Sequence, residues 1–264
     1  MMLTFLLVNC VGVLAYAVGW GTGVVARRRR GVVHAGASVV LLLLVFKTLL
    51  TWQPVWEATL FPVAWYVYLQ DYWIAAIGLL FFRFVTPQMP VVWNRWVLAV
   101  IAGLVFARGI DHTRWILHPE QCGELLSADE HHHRTQTTSY TCAPCACVCA
   151  LSYVGITATE RGMAELCLTR TDDGTTAFNT FRGLLLSLEG TPYRVRFVST
   201  PPETLLAKGV MAVIDWPQLR HAIAVVGTGD AVLVHDPLKD EPVIWSLDEL
   251  RQRYGGTALL IEPR

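Results

Sequence analysis

The sequence predicts a chain of two parts: an N-terminal bundle of about four transmembrane helices, and an α+β domain in which helices precede an antiparallel sheet. Three observations predict it. Residues 1–108 of the 264 are nearly all apolar or aromatic, whereas residues 109–264 have the composition of a globular domain. Apolar residues recur at helical spacing from residue 142 to 188. From Gly190 onward the apolar period becomes two, as in strands.

Charge and cysteine content narrow the function classes. The formal net charge is zero, so nothing indicates a nucleic-acid partner. The chain has seven cysteines, an odd number, and four of them are clustered at positions 142, 145, 147 and 149. These are too few and too clustered for a disulfide framework. One disulfide, such as Cys122 with a cysteine of the cluster, remains open outside the cytoplasm.

The apolar half contains stretches long enough to cross a bilayer core of ~30 Å, which needs about 20 helical residues. The predicted spans are residues 3–26, 32–50, 58–82 and 91–107. Four arginines at residues 27–30 follow the first stretch, whereas a cleaved signal peptide has its basic residues first. The first stretch is therefore predicted to be a membrane anchor.

Positive charge predicts the orientation of the spans. Residues 27–30 and the connection containing Arg83 and Arg95 are expected in the cytoplasm. Four spans then place the C-terminal domain on the outer, periplasmic side of a bacterial inner membrane. The polar pair Gln70-Asp71 interrupts the third stretch. If that pair forms a hairpin, a fifth span puts the domain in the cytoplasm, so both arrangements remain open.

A polar connector, residues 109–134, joins the two parts and ends in three consecutive histidines, His131 to His133. Histidine ligands of a metal are normally spaced along one face of an element, as in H-x₃-H. The three histidines are therefore predicted to lie in a solvated loop, and neither a metal nor a cofactor is expected.

The domain of residues 135–264 begins with helices. The first is predicted from Cys142 to about Tyr153, with Pro144 in its first turn and Gly155 as its stop. A short helix follows Thr157 or Thr159, and a third ends near residue 188. Strands are predicted at residues 193–199, 210–216, 221–226, 232–236 and 257–262, with short helices at 202–208 and 246–254.

Cys142 is the predicted nucleophile, because the positive end of a helix favours a thiolate. Such a cysteine needs a base and a group that orients the base. If the hairpin turn centres on Thr228-Gly229, His221 lies directly opposite Asp236, so that the carboxylate accepts an imidazole N–H. His235 then faces the other side of the sheet.

Gln136 lies six residues before Cys142, in the loop that leads to the helix. Its side-chain amide is the expected partner of the Cys142 N–H in stabilising an oxyanion. The other clustered cysteines, Cys145, Cys147 and Cys149, are predicted to be packing residues.

Several segments resemble the bacteriocin-processing peptidases, cysteine peptidase family 39, which are papain-like domains of peptide-exporting ABC transporters. They are Gln136, Thr141-Cys142-Ala143-Pro144, Asp173-Gly174-Thr175, His221 to Gly227 and Val234-His235-Asp236-Pro237. The resemblance implies a papain-like fold, a Cys142/His221/Asp236 triad with Gln136 at the oxyanion, and cleavage of leader peptides after a double glycine. The family usually has Asp-Cys-Gly-Pro at the nucleophile.

No G-x-x-x-x-G-K-[ST] motif is present, and the predicted spans precede the peptidase segments. The expected protein is therefore a stand-alone, membrane-anchored cysteine peptidase that acts on a peptide or protein, with an exporter as a membrane partner. Two alternatives remain. One is a non-catalytic module that binds a peptide and recruits it to a membrane partner. The other is an acyltransferase that passes the acyl group to an amine.

Overall fold

The structure is a computed structural model that describes residues 122–171 and 174–264, together with individual helical positions between residues 38 and 107. The chain divides into two compact units. The first comprises Met1–Gln53 and Val63–Leu117, and the second comprises Pro54–Pro62 and His118–Arg264.

Most of the apolar half lies outside the described residues. This holds for the predicted span at 3–26, the arginines at 27–30, and the Gln70-Asp71 pair. Isolated described positions in the spans at 32–50 and 91–107 are helical. Among the residues that the structure describes, no helix is both long and apolar enough to cross a membrane.

Residues 122–171 and 174–264, which belong to the second unit, form five helices and six strands. The helices are α1 Cys142–Ser152, α2 Glu160–Leu166, α3 Ala177–Ser187, α4 Glu203–Leu206 and α5 Leu247–Arg253. The strands are β1 Tyr193–Ser199, β2 Met211–Trp216, β3 His221–Gly227, β4 Ala231–His235, β5 Val243–Ser246 and β6 Thr257–Pro263.

All six strands form one sheet in the order β1-β6-β2-β3-β4-β5, and every neighbouring pair is antiparallel. The predicted α+β architecture, with helices first and an antiparallel sheet after them, is confirmed. The edge strand β5 was not predicted. Only Trp245 among its four residues is buried, so the segment lacks the alternation that marks a half-buried strand.

The β3–β4 hairpin differs from its predicted register. Thr228 N–H donates to the Ala231 carbonyl at 3.0 Å, so the two loop residues are Gly229 and Asp230 rather than Thr228 and Gly229. Gly229 has φ +116°, a conformation that favours glycine at the start of a tight hairpin turn. The one-residue displacement of the turn shifts the strand pairing by two, and Ala224 therefore faces His235.

Gly227 explains why the turn lies one residue later. It remains inside β3, where a Cβ would collide with backbone oxygens of α4 and of Ala207 after it. The Gly227 N–H donates to the Val210 carbonyl at 2.8 Å, and the Gly227 carbonyl accepts from Gly209 N–H at 2.9 Å. Gly227 is therefore held by the close approach of α4 and is not available to begin the turn.

Two sets of helices pack on the sheet. Side chains of α4, α5 and the sheet form one apolar cluster that includes Leu205, Ile223, Val234 and Leu250. α1 packs on β2 and β3 with a separate set of small side chains, of which Cys145, Cys147 and Cys149 are fully buried. Small side chains on a helix buried on all sides allow its backbone to approach the sheet closely.

Candidate active site

Cys142 is the first residue of α1, as predicted. Thr141 is the N-cap residue, and its carbonyl accepts the first helical hydrogen bond, from Cys145 N–H at 3.0 Å. Pro144 lies in the first turn, where no N–H has an intrahelical partner to lose. Among the described cysteines, only Cys142 is not buried, so its thiol is the one that a substrate can reach.

His221 lies against the Cys142 thiol. Burial opposes the charged form of Cys142, but hydrogen bonds with the His221 side chain and the Ala222 backbone outweigh burial. The pKa of the Cys142 thiol therefore falls below its ordinary value of 9.0. Because the sulfur needs less basic conditions to ionise, it is a better nucleophile near neutral pH.

Asp236 contacts the other side of the imidazole. His221 Nε2 and Asp236 Oδ1 are 2.6 Å apart, and both side chains are buried. Burial opposes the charge on His221, but the hydrogen bonds with Asp236 and Cys142 outweigh it and raise the pKa of His221 to about 9. Since Nε2 is engaged with Asp236, we assign the hydrogen bond with Cys142 to Nδ1. The two pKa shifts together favour a thiolate and an imidazolium at neutral pH.

The predicted partnership of His221 and Asp236 therefore forms, although not by direct cross-strand pairing. β4 ends at His235, and Asp236 lies in the following turn, where its Oδ1 also accepts from Leu238 N–H at 2.9 Å. A register error of two residues keeps each side chain on its predicted face. His235 accordingly contacts Tyr153 at the end of α1, on the other face of the sheet.

Gln136 is placed beside Asp236 through its backbone. Its N–H donates to the Pro237 carbonyl at 2.9 Å, next to Asp236. Its side-chain Nε2 donates to the Thr138 carbonyl at 2.7 Å, within the same loop, and Oε1 is buried without a hydrogen-bond partner. The loop thus brings Gln136 beside the turn of Asp236, while one amide hydrogen is used inside the loop.

Glu160 holds this loop, a role that the sequence did not reveal. Its fully buried carboxylate accepts from Thr137 N–H at 2.8 Å, Thr137 Oγ1 at 2.8 Å and Thr141 Oγ1 at 2.6 Å. It also accepts from Glu124 N–H and from Arg134, each at 3.2 Å. Burial opposes ionisation of Glu160, but the hydrogen bonds outweigh it and lower its pKa. The carboxylate therefore fixes both ends of the segment that leads into Cys142.

A cleft of about 380 Å³ opens beside Cys142 and His221. Its other lining residues are Thr175, Ala177, Asp215, Trp216, Pro217, Arg220 and Ala222. Burial raises the pKa of Asp215. Arg220 has φ +50°, a left-handed conformation that is uncommon for a non-glycine residue, at the turn that leads directly into His221. Asp173, named in the resemblance, lies outside the described residues.

The prediction of a solvated histidine loop is wrong for His133. His131 is exposed, but His133 is only 3% exposed, and its Nε2 donates to the Lys239 carbonyl at 2.8 Å. Asp129 Oδ1 accepts from the N–H groups of His131 and His133 and closes a tight turn that folds inward. The pairing of Cys122 with a cysteine of the cluster, left open above, is not formed, since Cys142, Cys145, Cys147 and Cys149 are all free thiols.

No family model and no curated protein matches the chain. Solved structures with a similar shape include a double glycine motif protease from an AMS/PCAT transporter in complex with its leader peptide. It is 19% identical, covers 50% of this chain and 91% of that one, and has a TM-score of 0.42. The peptidase domain of Streptococcus ComA, a bifunctional ABC transporter of a quorum-sensing pathway, is 19% identical, covers 51% of this chain and 100% of that one, and has a TM-score of 0.42.

A third similar structure is the N-terminal peptidase C39-like domain of a toxin secretion ATP-binding protein from Vibrio parahaemolyticus. It is 12% identical, covers 48% of this chain and 100% of that one, and has a TM-score of 0.36. Identities and scores this low carry no function across, and a function for this chain rests on the geometry of Cys142, His221 and Asp236.

Proposed function

We propose that the second unit is a cysteine peptidase with Cys142 as nucleophile, His221 as acid and base, and Asp236 as the group that orients His221. One observation carries the proposal. The buried imidazole of His221 contacts Asp236 on one side and, on the other, a thiol at the start of a helix, whose pKa it lowers. This is the arrangement that an activated cysteine nucleophile requires.

In the proposed reaction the Cys142 thiolate attacks the carbonyl carbon of a peptide bond, and the carbonyl electrons move to the oxygen. The N–H of Cys142, which has no intrahelical partner, and the remaining amide hydrogen of Gln136 donate to this oxyanion. His221 Nδ1 gives its proton to the leaving amine as the C–N bond breaks, which leaves a thioester. Neutral His221 then takes a proton from water, the hydroxide attacks the thioester, and the Cys142 thiolate is released.

The proposed substrate is an extended peptide in the cleft that Trp216 and Arg220 line. A volume of about 380 Å³ is at the small end of ligand pockets, which suits a few residues around a scissile bond. A leader peptide that ends in a double glycine is the first sequence to test, because the resemblance of the Cys142 and His221 segments implies it.

The decisive experiment compares peptide cleavage by the full chain with cleavage by Cys142→Ala. Cleavage should disappear in that variant and fall strongly in Asp236→Asn, whereas Cys147→Ala, a buried cysteine of the same helix, should keep it. Equal cleavage by the full chain and Cys142→Ala would sink the proposal. The masses of the products distinguish hydrolysis from transfer to an amine. A thiol-reactive peptide that fails to label Cys142 would favour a non-catalytic peptide-binding module.

We also propose that the apolar first half anchors the domain in a membrane, with an exporter as a candidate partner. The support is the uninterrupted apolar stretch at residues 3–26 and the four arginines that follow it. Extraction of isolated membranes at alkaline pH tests the anchor, since release of the full chain into the soluble fraction would refute it. Reporter fusions after residue 82 and at the C-terminus test which side the domain faces.

A further inference from the structure

Three buried metal-ligating side chains lie together where the loop before α1, α1 itself and the end of β4 meet. One nitrogen of His133, one nitrogen of His235 and the sulfur of Cys149 all lie within 4.8 Å of one another. His133 comes from the loop before α1, Cys149 from the third turn of α1, and His235 from the end of β4. None of the three is more than 3% exposed.

Each histidine of the cluster has one buried ring nitrogen without a hydrogen-bond partner. His133 Nδ1 and His235 Nδ1 are both buried and unpaired. Cys149 Sγ reaches only the Arg134 carbonyl, at 4.0 Å. Since nearly all buried polar groups in folded proteins are paired, two adjacent imidazole nitrogens without partners call for an explanation, and a bound ion is one.

In each of the two histidine rings, the other nitrogen, Nε2, already has a hydrogen-bond partner. His133 Nε2 must carry a proton, because its partner, the Lys239 carbonyl, can only accept. His133 Nδ1 is then a bare lone pair. His235 Nε2 lies 2.9 Å from the Tyr153 hydroxyl, and when protonated it donates to that oxygen, which leaves Nδ1 bare as well. Metal-ligating histidines commonly donate their second nitrogen in this way, which fixes both tautomer and ring orientation.

We propose that His133, Cys149 and His235 bind one divalent ion of the zinc class, a site unrelated to the proposed peptidase chemistry. Two imidazoles and one thiolate are a donor set suited to zinc, whereas magnesium and calcium prefer oxygen ligands. Three protein ligands leave one tetrahedral position for water. On binding, the Cys149 thiol loses its proton to solvent, both Nδ1 lone pairs coordinate the ion, and the ion sheds water.

The cluster needs only a small contraction to bind such an ion. With Zn–N near 2.1 Å and Zn–S near 2.3 Å, tetrahedral ligand atoms lie about 3.4 to 3.6 Å apart. Since all three ligand atoms lie within 4.8 Å of one another, no pair has to close by more than about 1.4 Å. His133 lies on a loop, closed by Asp129 and by the left-handed His132, and supplies this movement more easily than α1 or β4.

The proposed ion would join three separate segments of the chain. His235 directly precedes Asp236, and His133 is bonded to the Lys239 carbonyl in the turn after it. Gln136 N–H is bonded to Pro237 in that same turn. Metal binding would therefore fix the loop of residues 129–136 against the turn that carries Asp236.

The test is a Co²⁺ titration of the full chain after chelator treatment, in a Cys142→Ala background so that the Cys142–His221 pair does not compete. One equivalent should produce a thiolate-to-cobalt charge-transfer band and tetrahedral d–d bands, which Zn²⁺ then removes. A titration without a charge-transfer band would overturn the proposal, and this measurement requires no variant of the cluster.

Matched variants assign the band to the cluster. Cys149→Ala and His235→Gln should lose the charge-transfer band and one bound zinc per chain. Cys147→Ala, on the same helix, and His132→Gln, in the same histidine run, should keep both. If Cys149→Ala kept the same band intensity as Cys147→Ala, the proposed site would be wrong, whatever the outcome of the peptidase assay.

Discussion

Replacing Glu160 with Gln is the sharpest test of how the nucleophile is held. The substitution keeps the shape of the side chain but removes its charge and turns one oxygen into a donor. Two hydrogen bonds reach Oε1, from Thr137 N–H and Thr141 Oγ1. Three reach Oε2, from Thr137 Oγ1, Glu124 N–H and Arg134. The Thr hydroxyls can turn and accept instead, but whichever oxygen becomes NH₂, at least one buried backbone N–H then faces another donor.

Each buried donor left without a partner costs about 1–3 kcal/mol, and breaking a buried ion pair costs about 3–5 kcal/mol. We expect Glu160→Gln to lower the free energy of unfolding by about 3–5 kcal/mol. The unfolding entropy is about 2.1 cal/mol/K per residue, and the second unit has roughly 150 residues. Its melting temperature should therefore fall by roughly 10–17 °C.

Pulse alkylation of the full chain along a temperature ramp measures this loss, with labelling resolved by peptide mass spectrometry. Cys145, Cys147 and Cys149 are fully buried, so their labelling reports unfolding of this unit alone. Glu203→Gln is the matched control, because Glu203 pairs with Arg251 at the exposed surface, where ion pairs contribute little. A Glu160→Gln midpoint equal to that of Glu203→Gln would refute the reasoning.

The same comparison carries a pH signature. The pKa of Glu160 is lower in the folded chain than its ordinary value of 4.5. Its contribution to stability is therefore fully present above pH 4.5 and is lost as the pH falls through the lowered folded pKa. Because Gln does not titrate, the difference in stability between the unsubstituted chain and Glu160→Gln should shrink as the pH falls below 4.5. A constant difference over that window would contradict the assignment of the charge.

Two further predictions concern the triad and the hairpin. Alkylation of Cys142 by iodoacetamide should show a midpoint below pH 9.0, and His221→Gln should raise that midpoint and slow alkylation severalfold at pH 7, because the imidazole no longer stabilises the thiolate. Identical rate–pH curves would contradict this. Gly227→Ala should cost about 1–3 kcal/mol by overpacking against backbone oxygens, among them that of Leu205 at 2.6 Å. A loss of stability near zero in Gly227→Ala would contradict the steric cause.

The sequence predicted those features that depend on local pattern. Cys142 at the start of α1, the strand β1 and the helix capped at Ser246 follow from spacing and capping residues, and the structure confirms them. The β3–β4 hairpin shows that local pattern does not determine the exact position of a turn. The sequence placed the turn at Thr228-Gly229, whereas the structure has it at Gly229-Asp230, and the packing of α4 against Gly227 that holds this glycine in β3 is seen only in the structure.

Long-range contacts account for what was missed. In the sequence Glu160 is an ordinary acidic residue of the first turn of α2. The groups that donate to its carboxylate oxygens are 19 to 36 positions away in the chain. His133 and His235 come together across 102 positions, a separation that no spacing rule for metal ligands covers. These groups become neighbours only because the loop before α1 folds against the sheet, which the sequence pattern does not indicate.

The site is therefore held by one loop at two points. Residues 133–136 are bonded to the turn after β4, through His133 to Lys239 and through Gln136 to Pro237. Residues 137–141 are bonded to Glu160 in α2. The loop thus connects the turn that carries Asp236 to Cys142, although neither attachment uses the side chain of Cys142, His221 or Asp236. Substitutions that break these attachments should alter the distances among Cys142, His221 and Asp236, although none of these three residues is itself substituted.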